Sequence, residues 1–181
     1  MAQEPFVSFI IPCYNVPMQS LQTCVGSLLS LTPQTDLEVL VVDDGSQRDE
    51  VVPWVESLRL PRGRAVRQEN SGPGGARNTG IARTTGTYIA FVDADDYILP
   101  EPQAMLLRLL GERRPDILAQ GCPSNYEGTA SDYLLRHDIC PSCCSYFIKR
   151  STLGSLRFTP HIYHEDEEFC TRLHLLEASL I

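Results

Sequence analysis

The 181-residue sequence lacks an excess of basic residues, because 15 Lys+Arg stand against 23 Asp+Glu and give a net charge of −8. Proteins that bind nucleic acid or anionic membranes without specificity depend on surplus Lys and Arg. The composition therefore argues against both classes. An acidic protein that holds a phosphate-bearing ligand is expected to place a metal ion between itself and the phosphates.

Long apolar runs are also missing. The first run, Phe6–Ile11, stops at Pro12 without a basic segment before it, and no later run approaches the roughly 20 apolar residues of a membrane span. The seven cysteines are odd in number, which does not suit a fully paired secreted framework. We therefore expect reduced thiols, no transmembrane segment in this chain and a cytoplasmic location, with the inner face of the membrane left open.

The sequence does contain the alternation that is typical of an α/β domain. Short β-rich apolar runs are separated by stretches whose apolar residues recur every three to four positions. The predicted strands span 6–11, 37–42, 64–68, 88–92, 116–120 and 145–149, and the predicted helices span 20–31, 50–58 and 75–84. This order predicts a mostly parallel central sheet flanked by helices. A last amphipathic stretch, Glu167–Ile181, predicts a helix with no stop signal after it.

Polar clusters follow three of the predicted strands, at positions 12–15, 43–46 and 93–96. The carboxyl ends of parallel strands meet at one edge of a sheet, so we expect the clusters to lie together. Asp93-Ala94-Asp95 offers hard oxygen ligands for Mg²⁺ or Mn²⁺ and, through the metal, for a diphosphate. A polar turn with Asp96 as a helix N-cap is the alternative.

The other polar segments each have two interpretations. Asp43 and Asp44 could accept hydrogen bonds from a base or a ribose, or could form a turn before the next helix. The Gly-rich segment 70–78 could bring helix N–H groups and Arg77 to a nucleotide, or could be a plain loop. The acidic segment 164–168 could stabilise a helix N-terminus or supply a general base.

Taken in order, the segments 7–15, 43–46, 70–80 and 91–96 resemble the family 2 glycosyltransferases, inverting enzymes with a GT-A fold. The resemblance implies a Rossmann-like sheet and a single GT-A domain over residues 1–181. Its nucleotide-binding half would span 1–100. Residues 101–181 would begin an acceptor-binding half that is expected to be truncated.

The resemblance also implies roles for individual residues. Those implied to bind the nucleotide sugar are Pro12, Tyr14, Asn15, Asp43, Asp44, Arg77 and Asp93. Of these, Asp43 or Asp44 or both would contact the uracil or its ribose. Asp95 and Asp93 are the implied ligands of Mn²⁺ or Mg²⁺. Asp166 is the implied catalytic base, with Glu165 as an open alternative.

The resemblance therefore implies a metal-dependent, hexosyltransferase-like enzyme of polysaccharide biosynthesis. It would move a sugar from a nucleotide diphosphate sugar, a UDP-sugar in our expectation, to a glycan or lipid-linked acceptor. The first alternative is a nucleotide-sugar binding module without turnover. The second is a signalling receiver domain, which expects a Lys at a late strand end, where the chain has only Lys149. Its acidic pair is expected after the first strand, whereas Asp43 and Asp44 follow the second, so the sequence disfavours this class. Nucleic acid is not an expected partner.

Overall fold

The computed structural model describes residues 6–31, 36–58, 62–120, 127–136, 140–176 and 178–180. Its strands are β1 Val7–Cys13, β2 Leu37–Asp43, β3 Gly63–Arg67, β4 Tyr88–Phe91, β5 Ile117–Ala119, β6 Gly128–Thr129, β7 Tyr146–Lys149 and β8 Ser179–Leu180. Its helices are α1 Met18–Leu29, α2 Val51–Ser57, α3 Gly72–Arg83, α4 Pro100–Arg113, α5 Ala130–Arg136, α6 Arg150–Leu153 and α7 Glu165–His174.

The strands form one sheet in the order β3-β2-β1-β4-β7-β5-β8-β6. The first four are parallel neighbours, and β7 runs antiparallel between β4 and β5. All six predicted strands are present, and the predicted α/β class with a mostly parallel sheet is confirmed. In the register, Cys13 pairs with Asp43 and Asp43 with Arg67, so the carboxyl ends of β1, β2 and β3 are level.

The prediction of one helix over 167–181 is wrong in its second half. Helix α7 ends at His174, and Ser179–Leu180 forms strand β8 between β5 and β6. The Ser179 N–H and hydroxyl both donate to the Asp116 carboxylate, at 3.1 and 2.9 Å, and Leu180 is buried. Pairing with a sheet satisfies backbone groups and buries an apolar side chain, which a solvated helix end would not do.

The core has two halves, one on each face of the sheet, because successive strand residues point to opposite sides. Phe9 and Ile11 pack on the side of α1, whereas Ile10 packs on the side of α3 and α7. Helix α3 comes so close to β1 that Gly80 lies directly against Ile10. Among the described residues, no helix is long and apolar enough to cross a membrane.

Substituting Gly80→Ala is expected to destabilise the protein by about 1–3 kcal/mol, because its new methyl group would overlap the Ile10 side chain. For a domain of this size the Tm should fall by roughly 2–12 °C in a thermal denaturation experiment. Gly26→Ala is the matched control, since a methyl group at that helical position meets nothing within 4 Å. We expect the control to be neutral or slightly stabilising. Equal Tm values for the two variants would contradict the close packing of α3 on β1.

Candidate active site at the carboxyl edge of the sheet

The three polar clusters that follow β1, β2 and β4 meet at one edge of the sheet, as the parallel arrangement predicts. They surround an open cavity of about 340 Å³. Six of the residues predicted to form the site line this cavity: Pro12, Tyr14, Asp44, Arg77, Asp93 and Asp95. The N-terminal turn of α3 completes its wall through Gly72, Pro73 and Ala76. The Gly-rich segment therefore begins a helix at the cavity.

Of the two aspartates after β2, only Asp44 lines the cavity. Its Oδ1 accepts hydrogen bonds from the Gln68 side chain at 2.7 Å and from the Ser71 N–H at 2.9 Å. Asp43 is fully buried beneath the turn. It accepts from the Ser46 N–H at 3.0 Å and from Arg67 at 3.0 Å. The two carboxylates thus hold the loops that shape this side of the cavity.

Asn15 lies outside the wall of this cavity and lines a neighbouring one of about 450 Å³. Its backbone is left-handed, with φ of 52°, a conformation that asparagine adopts more readily than most residues. The Asn15 N–H donates to the Ser46 hydroxyl at 3.0 Å, and its side-chain oxygen accepts from the Gln47 N–H at 2.8 Å. Asn15 therefore ties the loop after β1 to the turn after β2.

Arg77 is the centre of the charged part of the site. Its side chain is only 5% exposed, and its Nη1 donates to Asp166 at 2.7 Å and to Glu165 at 2.9 Å. Its Nη2 donates to Asp93 at 3.0 Å. The centre of the Phe158 ring lies 5.4 Å from the guanidinium carbon. One arginine on α3 thus joins the strand-end aspartate of β4 to the first turn of α7.

The Asp166 carboxylate is partly enclosed, and both of its oxygens have partners. Oδ1 accepts from Arg77, and Oδ2 accepts from the backbone N–H of Cys143 at 3.4 Å. Burial raises the pKa of Asp166 above its usual range, although the Arg77 charge and the Cys143 hydrogen bonds act in the opposite direction. A raised pKa makes the ionised carboxylate a stronger base, which suits general-base chemistry.

Asp93 and Asp95 are the carboxylates in the cavity wall that could hold a metal ion. The Asp95 side chain is exposed at the cavity, and no hydrogen bond or ion pair involves it in the described part of the chain. Burial, and to a smaller extent the charges of Asp93 and Asp95, raise the pKa of the neighbouring Asp96.

No cluster of three or more potential ligands occurs among the described residues. Mg²⁺ usually takes one or two carboxylates and completes its shell with water and substrate phosphates. The two aspartates Asp93 and Asp95 therefore fit a divalent ion that arrives with a diphosphate.

Sequence reasoning missed the contacts that join α3 to α7. Asp166 and Arg77 are 89 positions apart, and no periodicity or local spacing connects them. The Cys143 N–H belongs to a short 3-10 turn at Cys143–Ser145 and was not predicted either. The sequence contained one usable signal, the glycine at position 74. A methyl group there would lie 3.1 Å from Phe158 and 3.4 Å from Glu165, so glycine permits the close approach.

Comparison with known proteins identifies the family. The family described as glycosyl transferase family 2 matches residues 8–173. Glycosyltransferase EpsJ of Bacillus subtilis strain 168 is 42% identical over 109 residues, which are 60% of this chain and 30% of EpsJ. Chondroitin synthase of Escherichia coli is 41% identical over 118 residues, 65% of this chain and 16% of that protein. The chain thus spans less than a third of these relatives' length.

Two solved structures share the fold. TarS 1-349 of S. aureus, in complex with UDP-GlcNAc, is 26% identical with a TM-score of 0.80, over 97% of this chain and 56% of that one. The mannosyltransferase PcManGT of Pyrobaculum calidifontis, in complex with GDP-Man and Mn²⁺, is 21% identical with a TM-score of 0.73, over 99% and 55%. The chain therefore belongs to the family 2 glycosyltransferases and has their GT-A fold, as its motifs predicted.

Proposed function

We propose that this chain contains the donor site and the catalytic base of an inverting glycosyltransferase that uses a UDP-sugar. The observation that carries the proposal is the cavity at the sheet edge, where Asp93 and Asp95 lie in the wall and Arg77 connects Asp93 to Asp166. The likeness to TarS, whose structure contains UDP-GlcNAc, supports the choice of a uridine nucleotide. The acceptor in this proposal is a glycan or a lipid-linked sugar.

In the proposed complex the nucleotide lies in the 340 Å³ cavity. Pro12 and Tyr14 would contact the base, and Tyr14, half exposed, has a ring available for such a contact. Asp44 would accept a hydrogen bond from the uracil or the ribose. Asn15 and Asp43 would not touch the nucleotide. They would hold the loops that carry Tyr14 and Asp44. The donor half would then be residues 1–100, and the acceptor half would begin at residue 101.

Asp95 and Asp93 would hold Mn²⁺ or Mg²⁺ together with the diphosphate. A bound divalent ion would stabilise the negative charge that develops on the departing diphosphate. Without such an ion, the aspartates at 93, 95 and 96 would repel a diphosphate, because like charges at short range oppose binding. The acidic wall therefore suits an anionic donor when a cation accompanies it.

Asp166 would accept the proton of the acceptor hydroxyl. The hydroxyl oxygen forms a bond to the anomeric carbon while the bond from that carbon to the diphosphate oxygen breaks, through an oxocarbenium-like state related to that of glycoside hydrolysis. Each carboxylate oxygen has two lone pairs, so Asp166 can keep its bond to Arg77 and still accept this proton. One displacement with one base inverts the configuration at the anomeric carbon.

The donor site is tested by thermal shift with UDP, GDP or CMP, each with and without Mn²⁺. A ligand at 100 times its Kd stabilises the folded state by about 2.7 kcal/mol, so UDP with Mn²⁺ should raise the Tm by roughly 5–11 °C. Asp95→Asn should lose the Mn²⁺-dependent part of the shift. Asp132→Asn is the matched control, since Asp132 lies exposed on α5, and its shift should equal that of the wild type.

Two outcomes would count against the donor site. A shift of equal size with all three nucleotides would remove the preference for uridine. A full Mn²⁺-dependent shift in Asp95→Asn would remove Asp95 from the metal site. A UDP shift without release of UDP from any of a panel of UDP-sugars would favour the alternative, a nucleotide-sugar binding module without turnover.

A further inference from the structure

Arg77 lies in the donor cavity wall, yet its guanidinium is occupied by protein carboxylates on two sides. We infer that Arg77 is a positioning residue: it holds Asp166, the base, in place relative to Asp93. In this inference Arg77 does not bind the nucleotide. This inference rests on the proposed function. According to this inference, the Arg77 side chain alone aligns the donor site with the base.

The geometry supports a positioning role because the guanidinium group is planar and rigid. Nη1 donates to Asp166 at 2.7 Å, and Nη2 donates to Asp93 at 3.0 Å. A fixed fork of donors holds two carboxylates at a defined separation, whereas a lysine ammonium is a single point charge on a flexible stem. The separation between the strand-end aspartate and the base is therefore determined by this group.

The scaffold around Arg77 is built for the same purpose. Asn78, the next residue on α3, exchanges two hydrogen bonds of 2.9 Å with the backbone of Phe158. The Phe158 ring then lies beneath the Arg77 guanidinium. Consecutive residues of one helix thus hold the segment before α7 and the first turn of α7 itself. Rigid placement of a catalytic group is worth large factors in rate, because a small misplacement removes the reactive geometry.

Arg77 also favours the ionised form of the base. The groups that face Asp166 are Arg77 from α3, Glu165 from its own helix, Cys143 from the 3-10 turn and Cys170 from α7. Burial and Glu165 raise the pKa of Asp166, and Arg77 is the cation that lowers it. Removing the arginine charge would therefore let Asp166 bind a proton at higher pH.

The substitution Arg77→Lys separates positioning from nucleotide binding. The readouts are kcat for release of UDP from UDP-GlcNAc, with water as the acceptor, and the UDP concentration that gives half of the Mn²⁺-dependent thermal shift. We expect kcat to fall by about 100-fold or more and the half-shift concentration to change by less than about threefold. A nucleotide contact would give the reverse, with weakened UDP binding and a retained kcat, and that result would overturn the inference.

Arg64→Lys is the matched control. Arg64 makes a 2.7 Å ion pair with Glu38 on β2, away from the carboxyl edge, so both readouts should equal those of the wild type. Phe158→Leu is a second variant, which keeps the arginine and removes the ring beneath it. It should lower kcat and leave UDP binding unchanged. If Arg77→Lys and Phe158→Leu both fold and both keep the wild-type kcat, the positioning role is overturned.

The double variant Arg77→Lys/Asp166→Asn gives an independent check. Residues that act as a unit are strongly non-additive, so the double variant should be no slower than Asp166→Asn alone. A further loss of about 100-fold would show that Arg77 acts apart from Asp166. Wild-type protein that binds UDP but releases it from none of a panel of UDP-sugars would refute turnover itself, and with it the need for a positioned base.

Discussion

Replacing Asp166 with asparagine is expected to lower the rate of sugar transfer by about 10²- to 10⁴-fold, the contribution of a well-placed general base. Asparagine keeps the shape of the side chain but cannot accept the acceptor proton. Arg77 retains Asp93 and Glu165 as partners in this variant, so the fold and the donor cavity should survive. The UDP-induced thermal shift should therefore stay within experimental error of the wild type.

The wild-type pH profile gives a second readout of the same residue. Only the ionised carboxylate can accept a proton, so the rate should fall as the pH drops through the pKa of Asp166. Burial raises that pKa, which places the fall at a higher pH than for an ordinary aspartate. The profile is measured as the initial rate of UDP release from saturating UDP-GlcNAc.

Glu167→Gln is the matched control for the base. Glu167 is an exposed carboxylate one residue further along α7, and its loss should leave the rate unchanged. Glu165→Gln tests the competing assignment. A large loss of rate in Glu165→Gln, with a normal rate in Asp166→Asn, would move the role of the base to Glu165.

Phe158→Ala is expected to lower the free energy of unfolding by about 3–5 kcal/mol, which is typical for removal of a buried aromatic ring. Phe158 is 2% exposed, and its ring stacks on Phe169 with centroids 3.9 Å apart. It also meets Phe91 edge-on at 5.3 Å. The Tm should fall by roughly 6–20 °C in thermal denaturation, and urea denaturation measures the loss of unfolding free energy directly.

Tyr163→Ala is the control for this loss of stability, because it removes an aromatic ring of similar size from the same segment. The Tyr163 side chain is 96% exposed, and exposed substitutions of this kind change stability by about 0.5 kcal/mol or less. A loss of less than about 1 kcal/mol in Phe158→Ala would contradict the assignment of this ring to the core.

The strand and helix order was predictable because it depends on local pattern. Each of β1, β2 and β4 is a short, buried and mostly apolar run, and the amphipathic spacing of the first three helices marks their inner faces. The parallel arrangement then required the polar clusters after these strands to share one edge, where the structure has the cavity. This part of the site follows from periodicity and topology alone.

The sequence did not predict how the second half of the chain packs. Strand β7 enters antiparallel between β4 and β5, and the segment after α7 joins the sheet as β8. The residues of β8 also fit the helical period, so their local pattern favoured the wrong element. Burial of Leu180 and the hydrogen bonds of Ser179 to Asp116 decide the outcome, and Asp116 lies 63 positions away in the chain.

By itself, the sequence determined the fold class, the family and the edge of the sheet at which the charged residues gather. Only the tertiary structure decided which of these residues touch: that Asp44 and not Asp43 lines the cavity, and that Arg77 holds Asp93, Glu165 and Asp166 together. The physical reason is that strand and helix formation depends on neighbours within a few residues. The charge contacts depend on how α3 and α7, distant in the chain, pack across one face of the sheet.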